Sequence, residues 1–531
     1  FALFKQHGLS VDLIGSAETN VTVSLDPTEN LLDSDAVAAL AADLEKICRV
    51  KVIAPCAAVT LVGRGMRSML HRLSPVLAEF GRERVHLISQ SSNNLNLTFV
   101  TDEAMLDGLL PRLHELLIRA GALRTDDAAL FGPSWQVLYG RNPVAVREPW
   151  WKKEQARLLE LAHPSPVGRG LEAATPRYVY HLPTIRERAR ALRALSSIDR
   201  IYYAMKANAH PAILHAIAEE GVGFECVSPG ELAAVDGIRE AGAVPRLFTP
   251  NFAPRDDYAY AHQHGVPTTL DALHPLQQWP ELFANREIML RVDLGRGLGH
   301  HDKVRTGGAG SKFGLPLDQL DLFVALAQKN LTRIVGLHAH LGSGILDATH
   351  WAEVYGQLAS IAEKIGSVAY LNLGGGLGVP SHPGEAELDL AALDASIAEV
   401  RQAYPQYRLW LEPGRWLVAD AGVLLARATQ VKRKGALNYL GCDAGMHALI
   451  RPALYDAWHE IVNLSRLEEA ATTLYQVVGP ICESGDVLGA DRRLPETSEG
   501  HVLLIARAGA YGESMSSNYN LRDLAASVVI E

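Results

Sequence analysis

The sequence predicts an α/β protein: a (β/α)8 TIM-type barrel, followed by a β-rich domain and preceded by a smaller α+β region. Three observations carry this. Eight strand-like runs alternate with segments of helical length between residues 201 and 414, and helices become scarce after about Gly422. The first 120 residues repeat a shorter pattern, two strands around a polar bend and then a helix. At 531 residues the chain is too long for one ordinary domain, so several folding units are expected.

The leading region is read as residues 1–120. In it, SVDLIGSAETNVTVSLD holds two β-rich runs split by a polar, glycine-containing turn, and an alanine-rich helix is expected over Ser34–Lys46. The segment VHLISQSSNNLNLTFV, residues 85–100, repeats the pattern around a Ser/Asn bend, with a helix expected over Asp102–Ile118. A repeated unit of this size suits a small ligand-binding domain better than an enzyme core. Residues 121–175 read as a linker and entry to a β domain, carrying the pair Trp150 and Trp151 and the turn-rich stretch HPSPVGRG.

The barrel is placed at 176–421. Its strands are IYYAMK (201–206), GFECVS (223–228), RLFTP (246–250), TTLDA (268–272), IMLRVDL (288–294), IVGLHAHLG (334–342), YLNLGGG (370–376) and RLWLEPG (408–414). Amphipathic Ala/Leu/Glu-rich segments at 211–220, 230–241, 317–328, 350–366 and 388–403 supply helices between them. In such a barrel the C-terminal strand ends converge on one mouth, where catalytic groups sit. Residues 422–531 turn to short strands, VLLARATQVKR, LYQVVG and HVLLIARAG, and predict a β-rich domain.

Composition narrows the function classes. With 48% hydrophobic and 21% charged residues and a formal net charge of −10, nothing favours nucleic acid. No apolar run approaches the roughly 20 residues that cross a bilayer, and no secretory pattern opens the chain, so a cytoplasmic protein is expected. Five cysteines, far apart and without a CxxC pair, predict neither a disulfide framework nor a metal site. The chain starts at Phe1 inside what reads as a helix, and is expected to be part of something longer.

Chemistry concentrates at the strand ends. The first strand closes on Met205-Lys206-Ala207-Asn208. A lysine is ordinarily a solvated surface group, but here it points into the barrel mouth. Loss of water there is expected to lower its pKa and free an amine for Schiff-base formation with an aldehyde. The second strand ends at Glu225. The sixth carries HAHLGSG, where alternation puts His338 and His340 on one face; a satisfied core histidine is the ordinary alternative for either. The loops LGSG, with Ser343, and LNLGGGLG, with Gly374, Gly375 and Gly376, offer bare backbone N–H groups for a phosphate on adjacent strands. The eighth strand ends in Glu412-Pro413-Gly414-Arg415, ordinarily a structural ion pair. In a cofactor reading, Glu412 keeps a pyridine nitrogen protonated, which makes pyridoxal 5'-phosphate an electron sink, while Arg415 faces an anion.

Seven motifs in order, YAMKAN, HLGSG, GGGLG, EPGR, RPALY, GPICESGD and GAYGESMSSNYN, resemble the diaminopimelate decarboxylases, of the alanine-racemase-like fold, over residues 176–531. The resemblance implies decarboxylation of meso-2,6-diaminopimelate to L-lysine and CO2 with pyridoxal 5'-phosphate. It implies that Lys206 binds the cofactor covalently, that His340 stacks on its ring, and that Glu412 meets the ring nitrogen. Ser343 and Gly374, Gly375 and Gly376 then hold the phosphate, with Glu225 and Tyr511 as further cofactor contacts. Cys482 is implied as proton donor and Glu483 as reader of the distal amino group, both reaching the site from a partner subunit in a homodimer. Arg415, Arg451, Tyr455 and Tyr511 are implied on the substrate side. Arginines and a carboxylate in late motifs also suit a side chain that ends in a zwitterion.

The front segment resembles the paired ACT domains (βαββαβ) of an aspartokinase, whose effector contacts would fall on Val11, Asp12, Ser16 and Glu18, with lysine as effector. Gly15 and Ala17 stand where that family usually has hydroxyl residues. A bifunctional aspartokinase and decarboxylase is the implied parent, its kinase part lying outside this sequence. Three alternatives are weighed: an ornithine or arginine decarboxylase of the same fold, an amino-acid racemase, and a non-catalytic cofactor-binding regulator. Racemases of this type place an arginine against the pyridine nitrogen, which Glu412 opposes. The set Lys206, His340, Glu412 and Cys482 opposes a non-catalytic role.

Overall fold

The computed structural model describes residues 2–7, 9, 11, 13–16, 21–25, 34–62, 79–80, 85–90, 96–114, 148–163, 175–238, 244–295, 298–299, 311–382, 385–435 and 437–531. The chain divides into two units, Phe1–Val146 and Arg147–Glu531. No described helix is long and apolar enough to cross a membrane.

In the first unit, Ile14–Ser16 pairs antiparallel with Val21–Val23, and the helix Ser34–Glu45 follows. A three-stranded antiparallel sheet comes next, with Asn96–Asp102 between Cys56–Val62 and Val85–Gln90, and then the helix Leu106–His114. Strand alternation puts Val59, Leu61, Leu97 and Phe99 on one face, where they pack with Phe80, Leu109 and Leu113. Of the effector candidates, Val11 is half-buried in a loop and Ser16 ends a strand. Asp12 and Glu18 lie outside the described residues.

The second unit contains the barrel. Its eight parallel strands are Arg200–Ala204, Gly223–Cys226, Arg246–Phe248, Thr268–Leu270, Glu287–Asp293, Arg333–His338, Tyr370–Asn372 and Arg408–Leu411. Each pairs with the next in chain order, and Arg408–Leu411 closes the ring on Arg200–Ala204. These strands are buried almost end to end, because helices cover the outside and side chains fill the inside. The β domain is an eight-stranded sheet organised around the long strand Gly422–Lys434.

One boundary differs from the sequence reading. Residues from 176 were expected to open the barrel, yet Arg177–His181 is a strand of the β domain, antiparallel to Gly422–Leu425 and parallel to Ala526–Ile530. Tyr178, Val179 and Tyr180 are all buried, so the segment needs sheet neighbours on both edges and cover on both faces. Residues read as linker also carry structure: the helices Trp150–Lys153 and Gln155–Leu161 pack Trp151 and Leu158 against Val179, Val423, Leu425 and Leu504.

Candidate active site

Parallel strands place all their C-terminal ends at one mouth, and there a cavity of about 390 Å³ gathers ten of the expected residues. Lys206, Glu225, His338, His340, Ser343, Glu412 and Arg415 come from the barrel; Arg451, Tyr455 and Tyr511 come from the β domain. Two hydrogen bonds fasten the domains together beside Lys206. The Tyr511 N–H donates to the Ala207 carbonyl at 2.7 Å, and the Asn208 amide donates to the Gly509 carbonyl at 3.0 Å. Tyr511 adopts a left-handed φ of 57°, a conformation an L side chain holds only when its surroundings impose it.

Lys206 Nζ lies 2.5 Å from Glu225 Oε2, and Thr249 donates to the other Glu225 oxygen. The expected fall in the Lys206 pKa does not occur. Burial pulls it down, but the charges of Glu225 and Glu412 and the Glu225 hydrogen bond raise it above its ordinary value. Lys206 is therefore an ammonium ion.

Across the mouth, both oxygens of Glu412 are held. His338 Nε2 donates to one at 3.0 Å and the Asn372 amide donates to the other at 2.6 Å. Burial alone would raise this carboxyl; the charge and hydrogen bond of His338, with Lys206 and Asn372, pull it down to about 2, so it is anionic. His340 is pushed well below the usual histidine range by burial and then by Arg291 and Lys206, and is neutral. Its Nδ1 accepts the Gly375 N–H at 3.2 Å. The Gly374 N–H goes to Asn372 Oδ1 at 3.0 Å. Two of the three glycine N–H groups expected to be bare are therefore engaged. The glycines are required for close approach: a Cβ on Gly375 would strike the Glu412 carbonyl oxygen, and Gly374 has a φ of 68°.

The remaining wall is cationic. Arg415 reaches Ser343 Oγ through Nε and Nη2 at 3.3 and 3.2 Å and lies 5.0 Å from the Tyr511 ring centroid. Arg451 Nη1 is 3.3 Å from His459 Nε2, while His459 Nδ1 is 2.9 Å from the Ala506 carbonyl. That carbonyl can only accept, so Nδ1 donates and Nε2 is the acceptor for Arg451. Burial holds both guanidiniums below their usual value, Arg451 to about 9 with Arg415's like charge adding to the effect. Among the described residues neither forms an ion pair, and the buried Nε of Arg451 has no partner. Such a wall calls for an anion.

Cys482 and Glu483 are not brought to this cavity. Both are exposed; the Cys482 N–H donates to Asn520 Oδ1 at 2.9 Å, and the Tyr519 hydroxyl donates to Glu483 Oε1 at 2.6 Å. Thr249, Arg291, Asn372 and His459 are among the site residues that the sequence did not point to. Asn372 and Arg291 sit on barrel strands, and inward alternation could have found them. Nothing local marks His459, which acts only through Arg451.

The fold and the Lys206 to Glu412 mouth define a pyridoxal-dependent decarboxylase of the barrel type. Residues 182–419 match the family model described as "Pyridoxal-dependent decarboxylase, pyridoxal binding domain". The chain is 37% identical to a diaminopimelate decarboxylase of Methanothermobacter thermautotrophicus over 377 residues, covering 68% of this chain and 87% of that one. It is 33% identical to a diaminopimelate decarboxylase of Escherichia coli over 383 residues, covering 68% and 90%. Among solved structures, a diaminopimelate decarboxylase of Helicobacter pylori complexed with L-lysine superposes with a TM-score of 0.64 at 26% identity, covering 71% of this chain and 94% of that one. The chain belongs to the diaminopimelate decarboxylase family.

Proposed function

We propose that this chain decarboxylates meso-2,6-diaminopimelate to L-lysine and CO2, with pyridoxal 5'-phosphate as cofactor. The observation that carries the reading is a lysine and an anionic, doubly held carboxylate facing each other across one cavity, whose wall also holds two guanidiniums, Arg415 and Arg451, that form no ion pair among the described residues. The residues fit the cofactor. Two buried polar atoms, Arg291 Nη2 and His338 Nδ1, have no partner among the described residues, and each belongs to a residue that lines the cavity.

When bound, pyridoxal phosphate supplies an electron sink for the pair left as CO2 departs. Lys206 is its covalent anchor, with Glu225, His340, Ser343, Gly374, Gly375, Gly376, Glu412 and Tyr511 around it. Lys206 Nζ, with Glu225 as its immediate partner, would also hold or pass on a proton beside the bound group. Glu412 stays anionic because His338 and Asn372 spend their hydrogens on it, so it can hold a proton on an opposing ring nitrogen. Arg415 and Arg451, with Tyr455 and Tyr511, take the distal carboxylate by charge-assisted hydrogen bonds. In this reading Cys482 delivers the proton to the substrate carbon and Glu483 reads the distal ammonium, both from the partner subunit of a homodimer. Their exposure away from their own cavity supports that assignment.

The same proposal makes the front region an aspartokinase-like ACT segment with lysine as effector at Val11, Asp12, Ser16 and Glu18. The described order there, strand, strand, helix, strand and then strand, strand, helix, supports a duplicated unit. Five unpaired cysteines support a reducing, cytoplasmic setting.

The test is CO2 release. Purified chain loaded with pyridoxal phosphate is expected to release CO2 from meso-diaminopimelate and not from ornithine or arginine, and to carry a visible absorbance that borohydride discharges and Lys206→Ala lacks. Release from ornithine at a comparable rate, or absorbance retained in Lys206→Ala, overturns the reading.

A further inference from the structure

We propose that the first unit carries a binding site for a thiophilic divalent cation, Zn2+ by preference, formed by Cys56, His86 and Asp102. These residues are far apart in sequence, which is why spacing alone gave no metal signal. The three-stranded sheet brings them together at one end, one ligand from each strand.

Cys56 opens the strand Cys56–Val62 and Asp102 closes the strand Asn96–Asp102, and the two are direct antiparallel partners. Direct partners project to the same face with their Cβ atoms about 5 Å apart. That face is opposite the one packed by Val59, Leu61, Leu97 and Phe99. His86 arrives by an irregularity. Val85 pairs with Thr101 and Leu87 with Val100, so His86 is one residue more than the register needs. A bulge of this kind re-aims a side chain, and here it brings His86 Nε2 to 2.7 Å from Asp102 Oδ1. One ligand atom from each residue, thiol sulfur, ring nitrogen and carboxylate oxygen, then lies within 4.8 Å of the other two.

The donor set chooses the ion. A thiolate disfavours Mg2+ and Ca2+, which take oxygen ligands, and sulfur with imidazole and carboxylate suits Zn2+. Three protein ligands leave the fourth tetrahedral position to water, and the exposed Cys56 provides an entry path. A bound ion would tie three strands together at a point where the ladder of hydrogen bonds ends.

The test uses the full chain after dialysis against chelator, with Co2+ as the spectroscopic probe. One Co2+ per chain is expected to bind with a thiolate-to-cobalt charge-transfer band and tetrahedral d–d bands. Cys56→Ser should abolish the charge-transfer band and Cys48→Ser should keep it. His86→Asn and Asp102→Asn should each weaken binding by at least the roughly 10-fold that loss of even an outer-shell partner costs. A missing band, a band that survives Cys56→Ser, or affinity unchanged in both His86→Asn and Asp102→Asn overturns the proposal. A second measurement needs no variant: Zn2+ should slow alkylation of Cys56 relative to Cys48, read by peptide mass spectrometry, and equal slowing of both overturns the site.

Discussion

At the residue scale, Glu412 and His459 meet the same burial and end in opposite charge states. Glu412 is buried and yet anionic, because His338, Lys206 and Asn372 together favour the charged form more than burial opposes it. Removing that charge while keeping the shape, in Glu412→Gln, should lower kcat by about 10²- to 10³-fold, the size of loss seen when one preorganised electrostatic partner is removed. Cofactor absorbance should persist; an unchanged kcat would show that the charge is not needed. His459 has no such support: burial, then Arg451, hold it down to about 3, so it stays neutral as an acceptor. The two groups give stability a pH dependence of the same sign. A depressed folded pKa means that the unfolded chain binds more protons, so stability is full above the unfolded value and lost as pH falls. For His459 the loss begins near 6.5 and continues towards 3; for Glu412 it begins near 4.5 and continues towards 2. Unfolding free energy should drop by about 2–3 kcal/mol from the His459 contribution alone between roughly pH 6.5 and 4.5, and His459→Gln should flatten that part of the profile. Equal slopes in the two proteins would remove His459 as a cause.

At the element scale, the end of the seventh barrel strand is a fitted piece. Gly375 is pressed against the Glu412 backbone, and its N–H orients His340. A single added methyl in Gly375→Ala must push the seventh and eighth strand ends apart. The cost should be about 1–3 kcal/mol, the usual range for overpacking, seen as a lower Tm, with kcat reduced because Glu412 moves with its backbone. An unchanged Tm would mean that the loop yields without cost. The eight strands and their order were legible because each is a short apolar run bounded by turn residues and separated by an amphipathic helix. Arg177–His181 was not assigned correctly, because RYVYH reads equally well as a barrel strand or a sandwich strand. Only its partners, Gly422–Leu425 and Ala526–Ile530, decide between them.

At the scale of the whole molecule, the chain enters the β domain, leaves for the barrel and returns, so the β domain can set Arg451, Tyr455 and Tyr511 over the barrel mouth. If Cys482 and Glu483 complete a neighbouring subunit's site, two defective chains should repair one another. Lys206→Ala and Cys482→Ala are each expected to be nearly inactive as homodimers. Mixed under conditions that exchange subunits, they should recover about a quarter of wild-type turnover, because half the dimers are then mixed and each mixed dimer has one intact site. No recovery, with exchange verified by mass, would put Cys482 in its own chain's site or outside the mechanism.

The barrel, and the gathering of Lys206, Glu225, His340 and Glu412 at the C-terminal ends of its strands, were legible in the sequence. These follow from local periodicity and from the rule that parallel strands share a C-terminal side. Tertiary structure decided the rest. Whether Lys206 is ammonium or amine depends on Glu225 at 2.5 Å, and whether Glu412 is charged depends on Asn372 and His338. Which glycine N–H groups remain available depends on where His340 points. Each of these is an electrostatic or steric balance among groups distant in sequence, and such a balance exists only after the chain has closed upon itself.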